Sequence, residues 1–286
     1  MKKKILLLMA AVLAFGFAAA QSLSQNIGKV KDGYNFWLYT PGNDGEESRA
    51  KPLFIFLHGA SLCGNNLDRV RRYGTIDAIE KGRELDAYVI APQNPGGSWS
   101  PRKVMNVLDW VSERHNVDSS RVYVLGMSLG GYGTIDVAAT YPHRIAAAMA
   151  LCGGGTVRNL AGLNDVPLWI VHGTADRAVS VRESDKVVSA MKKASGGDAP
   201  RLVYNRVPGM NHSQPARMFY LADSYDWLLS HSLEDDARSV AKTFEVTLGK
   251  LRTAYQGLNM GARRTKATKA KTRPKARANR RKSRRR

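Results

Sequence analysis

Arg121-Val122-Tyr123-Val124-Leu125-Gly126-Met127-Ser128-Leu129-Gly130-Gly131 is the stretch on which the reading of this chain turns. A β-favouring run enters a Gly-x-Ser-x-Gly corner, and Leu129–Thr140 then reads as a helix. A serine at such a corner takes strained dihedrals, and the chain crowds itself two residues to either side. Gly126 and Gly130 keep β-carbons out of that crowd, and Gly131 extends the allowance. The helix that begins there aims free N–H groups and a positive dipole end at whatever reacts on the hydroxyl.

Outward from this corner the same unit recurs: a short apolar run, small or polar residues, then a helix-length segment. The runs are 34–38, 53–57, 88–91, 122–125, 146–151, 168–171 and 202–205. They are nearly continuous in apolar residues, as expected of strands covered on both faces. Helices are predicted over 67–81, 104–116, 129–140, 182–194 and 216–229, with a further one near 240–258. Strand–helix alternation of this kind predicts an α/β fold, a mostly parallel sheet with helices on both sides. Right-handed crossovers then put every strand-to-helix loop at one edge of the sheet. No 20- to 50-residue repeat is visible, which excludes solenoids and propellers.

A serine hydroxyl needs a base, and the base needs an orienting acid. In a parallel sheet of this type both sit on later strand-end loops, in the order Ser, acid, His. His172-Gly173-Thr174-Ala175-Asp176 follows the run 168–171, and Val207-Pro208-Gly209-Met210-Asn211-His212 follows the run 202–205. Ser128, Asp176 and His212 are therefore the candidate catalytic residues. Asp165 precedes a strand, and Asp185 and Asp223 lie within helices. His115, His143 and His231 read as cap or surface residues, and His58 and His172 as structural ones. Two N–H donors are needed for the oxyanion, and Leu129 supplies one. The other is expected in the loop 58–64, with Ala60 first and Ser61 second. Asn94 and Trp99 are candidates to line the substrate opening; the alternative for Trp99 is packing on the next helix.

The 286 residues hold 44 Lys+Arg against 24 Asp+Glu, a net charge of +20, with 43% hydrophobic residues. The apolar share excludes a wholly disordered chain. Two cysteines exclude a disulfide framework or a four-cysteine zinc module. Cys63 and Cys152 either pair or remain two buried thiols. The six histidines show no HxxxH or HxH spacing, and no dinucleotide or phosphate loop is present, so neither metal nor cofactor is expected.

Lys2-Lys3-Lys4, an apolar stretch from Ile5 to Phe17 and Ala18-Ala19-Ala20 read as a signal peptide over 1–20, hence export. As a retained anchor it would be short of the ~20 residues that span a bilayer. Residues 263–286 carry fourteen Lys/Arg and no acid, so the body between leader and tail is nearly neutral. That tail is expected to be disordered, either a plain linker or an attachment to a polyanion or the cell envelope. It holds no aromatic residue, so base stacking and specific nucleic-acid recognition are not expected. The division expected is leader 1–20, catalytic domain 21–232, helical extension 233–262 and basic tail 263–286, with no transmembrane helix in the mature chain.

From about Lys51 to Leu229 the chain resembles secreted bacterial α/β-hydrolases of the esterase group. These include feruloyl and acetylxylan esterases, polyhydroxybutyrate-depolymerase-like proteins, dienelactone hydrolases and phospholipase/carboxylesterases. The residues that carry the resemblance are 56–60, 91–94 with Trp99, 126–131, 172–176 and 209–212. It implies an α/β-hydrolase fold and a serine ester hydrolase in which Ser128 is nucleophile, Asp176 orienting acid and His212 general base. Roughly sixteen residues separate the runs ending at Leu151 and starting at Leu168, too few for a cap domain. An open site favours a bulky ester such as an acylated polysaccharide. The alternatives are a prolyl-oligopeptidase-type peptidase, or a polyanion- or surface-binding protein on a hydrolase scaffold.

Overall fold

A computed structural model describes residues 21–42, 49–238, 240 and 244–261. The expected leader and basic tail lie outside the described residues. Eight strands form one sheet: β1 (Ser22–Asn26), β2 (Asn35–Thr40), β3 (Lys51–Leu57), β4 (Tyr88–Gln93), β5 (Val117–Met127), β6 (Ala147–Leu151), β7 (Leu168–Gly173) and β8 (Leu202–Val207). Their order is β1-β2-β4-β3-β5-β6-β7-β8. β1 and β2 are antiparallel at one edge, and the rest run parallel. The helices are α1 (Thr75–Glu80), α2 (Pro101–Ser112), α3 (Leu129–Thr140), α4 (Arg182–Ala194), α5 (Ala222–Leu229) and α6 (Leu248–Arg252).

The period-2 alternation of the strands divides the core into two layers. Phe54, Phe56, Tyr123, Leu125 and Trp169 face Phe219, Tyr225, Leu228 and Leu251. Leu53, Ile55, Tyr88, Val122 and Val124 face Val104, Val107 and Leu108 of α2, Ile135 of α3 and Val187 of α4. All seven residues of β3 are buried, consistent with its position in mid-sheet.

Several expectations need correction. The helix read over 216–229 is a 3₁₀ turn, Gln214–Tyr220, followed by α5. The helix read over 67–81 is a 3₁₀ turn, Leu67–Arg72, and then α1, broken at Gly74 with φ +98°. Among the described residues of 240–258 the helix is the five-residue α6, which begins where the Thr247 side chain accepts from Lys250 N–H. Val246, Leu251 and Ala254 of this extension are buried in the same layer as Phe219. β1 was not foreseen, because Ser-Leu-Ser-Gln-Asn has no apolar run. Among the described residues no helix is long and apolar enough to cross a membrane.

Candidate active site

Ser128 sits between β5 and α3 with φ +57° and ψ −122°, a conformation that costs a non-glycine residue about 1–3 kcal/mol. It persists because the corner is over-determined. Ser128 N–H donates to Leu151 O at 2.9 Å. A β-carbon on Gly126 would lie 2.4 Å from Gly130 O, and one on Gly131 2.5 Å from Leu151 O.

The acid loop and the histidine loop touch through backbone. Thr174 N–H donates to Val207 O and Ala175 N–H to Met210 O. A β-carbon on Gly173 would meet Met210 O at 1.9 Å, so glycine there is what lets the two loops close. Asp176 Oδ2 lies 2.7 Å from His212 Nδ1, and His212 Nε2 lies 3.0 Å from Ser128 Oγ. The structure thus brings Ser128, His212 and Asp176 into one hydrogen-bonded chain. The Asp176 side chain is fully buried, that of His212 about a quarter exposed.

Burial pushes the Asp176 pKa up, but the N–H groups of Val179 and Ala178 and the His212 imidazole outweigh it. The carboxyl is held below its ordinary value. His172 Nε2 stands 3.3 Å from the same Asp176 oxygen and 3.0 Å from Val179 O, and burial lowers its pKa. Cys152, at φ +48°, lies beneath with its Sγ 3.8 Å from His212 O, and burial pushes its thiol up. Cys63 and Cys152 are both free thiols. One potential ligand atom from each of Cys152, Asp176 and His212 lies within 4.8 Å of the others. These residues have other ties: Asp176 and His212 to each other, Cys152 as a buried neutral thiol.

Leu129 opens α3, so its N–H belongs to the first turn that has no intrahelical acceptor. Ala60 opens the 3₁₀ turn Ala60–Leu62 just beyond β3. The peptide before it is clamped: Gly59 O faces His58 Nδ1 at 2.8 Å and accepts from Leu62 N–H at 3.1 Å. His58 Nε2 takes the N–H of Asn94, which places the ring proton on Nδ1.

Asn94 and Trp99 do not line the opening, which corrects the sequence expectation. Asn94 is 1% exposed, and its amide bonds Gly97 O and Gly96 N–H within its own loop. Trp99 is 3% exposed, donates to His58 O and packs edge-on against His58 and Tyr34. Both support His58. A shallow, open hollow of about 720 Å³ lies beside His212, lined by Ala175, Arg177, Ala178, Gly209, Asn211 and Ser213. Its walls belong to the loops that follow β7 and β8, the same loops that carry Asp176 and His212.

Burial, the largest influence on His58, lowers its pKa to about 4. The unfolded chain takes up that proton near 6.5, so between the two values it binds one proton more than the folded chain. Stability therefore falls as pH drops through this window, by about 3 kcal/mol for this residue. Urea unfolding followed from pH 7 to 4.5 should show that loss, and His58→Asn should flatten the slope.

Residues 100–226 match the Phospholipase/Carboxylesterase family. A solved thermostable esterase superimposes with a TM-score of 0.59 at 24% identity, covering 74% of this chain and 63% of that one. The chain has the α/β-hydrolase fold. The acetyl xylan esterase from Aspergillus awamori matches this chain with a TM-score of 0.52 at 18% identity, over 72% of this chain and 97% of that one. By sequence the chain is 31% identical to acetylxylan esterase A of Emericella nidulans over 37% of its own length and 35% of the relative. It is 26% identical to poly(3-hydroxyalkanoate) depolymerase C of Paucimonas lemoignei, over 54% and 40%. The chain thus spans about 35–40% of the length of these two curated relatives. The resemblance to the phospholipase/carboxylesterase group read from the motifs holds, and so does the parallel sheet.

Proposed function

We propose that this chain is a serine hydrolase of carboxylic esters that works through an acyl-enzyme. The observation that carries the reading is the continuous path Asp176–His212–Ser128, with spacings of 2.7 and 3.0 Å. His212 takes the proton of Ser128 as its oxygen attacks the ester carbonyl. The N–H groups of Leu129 and Ala60 receive the oxyanion. His212 returns the proton to the leaving alcohol, then activates water to release the acid. Asp176, held ionised by its donors, fixes the imidazole tautomer and stabilises the imidazolium.

The substrate class proposed is an ester on a bulky carrier such as an acylated polysaccharide. Two features support it: the hollow opens directly beside His212, and two of the relatives are named as acetylxylan esterases. The test is a panel of p-nitrophenyl acetate, an aryl ester, acetylated xylan and an Xaa-Pro anilide. Acetate release from the polymer supports the reading; faster cleavage of the anilide moves it to a peptidase.

The same proposal places the enzyme outside the cytoplasm after cleavage behind Ala20, with the tail as an electrostatic tether. Removal of residues 263–286 should abolish salt-sensitive retention on heparin and leave turnover of p-nitrophenyl acetate unchanged. A truncated chain that keeps its retention, or loses turnover, defeats the tether.

A further inference from the structure

The break in the helix expected over 67–81 has a consequence at the active edge. A β-carbon on Gly74 would lie 2.0 Å from the Phe56 ring, so the chain turns tightly against β3 here, and only glycine fits the turn. Tyr73, the residue before it, is thereby directed towards the loop after β3. Its ring meets Phe56 at 6.0 Å, edge to face, and Phe219 at 6.4 Å. Its hydroxyl accepts Gly59 N–H at 2.7 Å, and the Ser61 hydroxyl also reaches it. A β-carbon on Gly59 would stand 2.9 Å from that hydroxyl and 3.3 Å from Ser128 Cβ. Tyr73 and Ser128 therefore both crowd the face of Gly59 that a side chain would occupy.

We propose that Tyr73 is a positioning residue for the reaction: by holding Gly59 N–H it fixes the peptide whose Ala60 N–H receives the oxyanion. This rests on the ester-hydrolase reading. In a trans peptide the N–H points opposite to the C=O of the same unit. Gly59 C=O is taken by His58 and Leu62 N–H, so Ala60 N–H faces the other way. Those two ties lie within residues 58–62; the Tyr73 hydroxyl anchors Gly59 from a separate segment packed on the core. Burial keeps the phenol protonated well above neutral pH, so it remains a hydroxyl through the working range. Loss of a donor aimed at an oxyanion costs ~10²–10³ in turnover, and loss of its aim costs a fraction of that.

Tyr73→Phe keeps the ring between Phe56 and Phe219 and removes only the oxygen. The expected result is a fall of about 10- to 100-fold in kcat for p-nitrophenyl acetate, with KM within about twofold. Binding of a reversible trifluoromethyl ketone, which forms a tetrahedral adduct on Ser128, should weaken in parallel with kcat/KM. Gly59 N–H should exchange faster with solvent, while the melting temperature moves little. Ser61→Ala, at an exposed position, serves as the milder second variant, with a fall of a few-fold expected. Unchanged kcat in a folded Tyr73→Phe enzyme overturns the proposal, as does a rise in KM alone. A fluorophosphonate that fails to label Ser128 in the unsubstituted protein sinks the ester-hydrolase reading instead, and the Tyr73 role with it.

Discussion

Ser128→Ala should lower turnover of p-nitrophenyl acetate by at least about a thousandfold while leaving the fold intact. The substitution removes one oxygen from a corner whose backbone stays as crowded as before. The strained φ of +57° is borne by alanine as by serine, and the backbone bond from residue 128 to Leu151 O remains. Melting temperature should therefore barely move, which separates loss of the nucleophile from loss of structure. Any residual rate would come from the N–H groups of Leu129 and Ala60 acting on water-borne attack. A folded Ser128→Ala protein with full turnover would falsify the nucleophile assignment and leave the Asp176–His212 pair without a reaction to serve.

This site was legible because its logic is topological. Asp176 is 36 residues from His212 and Ser128 is 84, yet each follows a strand of the same parallel sheet. Near-continuous apolar runs identify such strands, and parallel connection forces their C-terminal ends to one rim. Motif glycines carried the rest: Gly126, Gly130 and Gly173 each stand where a β-carbon would strike backbone oxygen. What resisted reading were side chains that serve backbone rather than substrate. Asn94 and Trp99 are polar or aromatic residues on a strand-end loop, the usual profile of a ligand contact. Both turn inward, because the loop amides and the His58 carbonyl are buried and need partners.

Tyr73 was hidden for the opposite reason. Leu67, Val70, Tyr73 and Ile76 keep helical spacing straight through Gly74, so periodicity sees one helix. The break depends on the Phe56 ring lying against Gly74, a contact between segments that no local pattern encodes. β1 is a mostly polar edge strand placed by its ladder to β2, with Leu23 as its one apolar residue, so a hydropathy pattern has little to register there.

Gly130→Ala should be the most damaging single-methyl change in this chain. The added β-carbon would lie 1.8 Å from Leu57 O, 2.5 Å from Leu57 C and 2.9 Å from His58 O. All three are backbone, so no rotamer change relieves the clash; β3 or α3 has to move. β3 cannot yield easily, since it is buried throughout and bonded on both sides to β4 and β5. α3 is pinned as well: a β-carbon on Gly131 would meet Leu151 O at 2.5 Å, and one on Gly133 the Trp99 ring at 2.7 Å. Overpacking of a close-packed core ordinarily costs about 1–3 kcal/mol, and here the strain falls on main chain, which places it above that range. Urea denaturation should show a loss of at least about 4 kcal/mol, or no folded protein at all. The matched control is Gly249→Ala in α6, where the nearest atom is Thr247 Oγ1 at 3.5 Å and the site is exposed. That substitution should stabilise by about 0.5–1 kcal/mol through helix propensity. If Gly130→Ala instead melts like its parent and keeps its turnover, α3 and β3 have slack between them. The strained corner at Ser128 would then lack the rigid support from which its geometry has been argued.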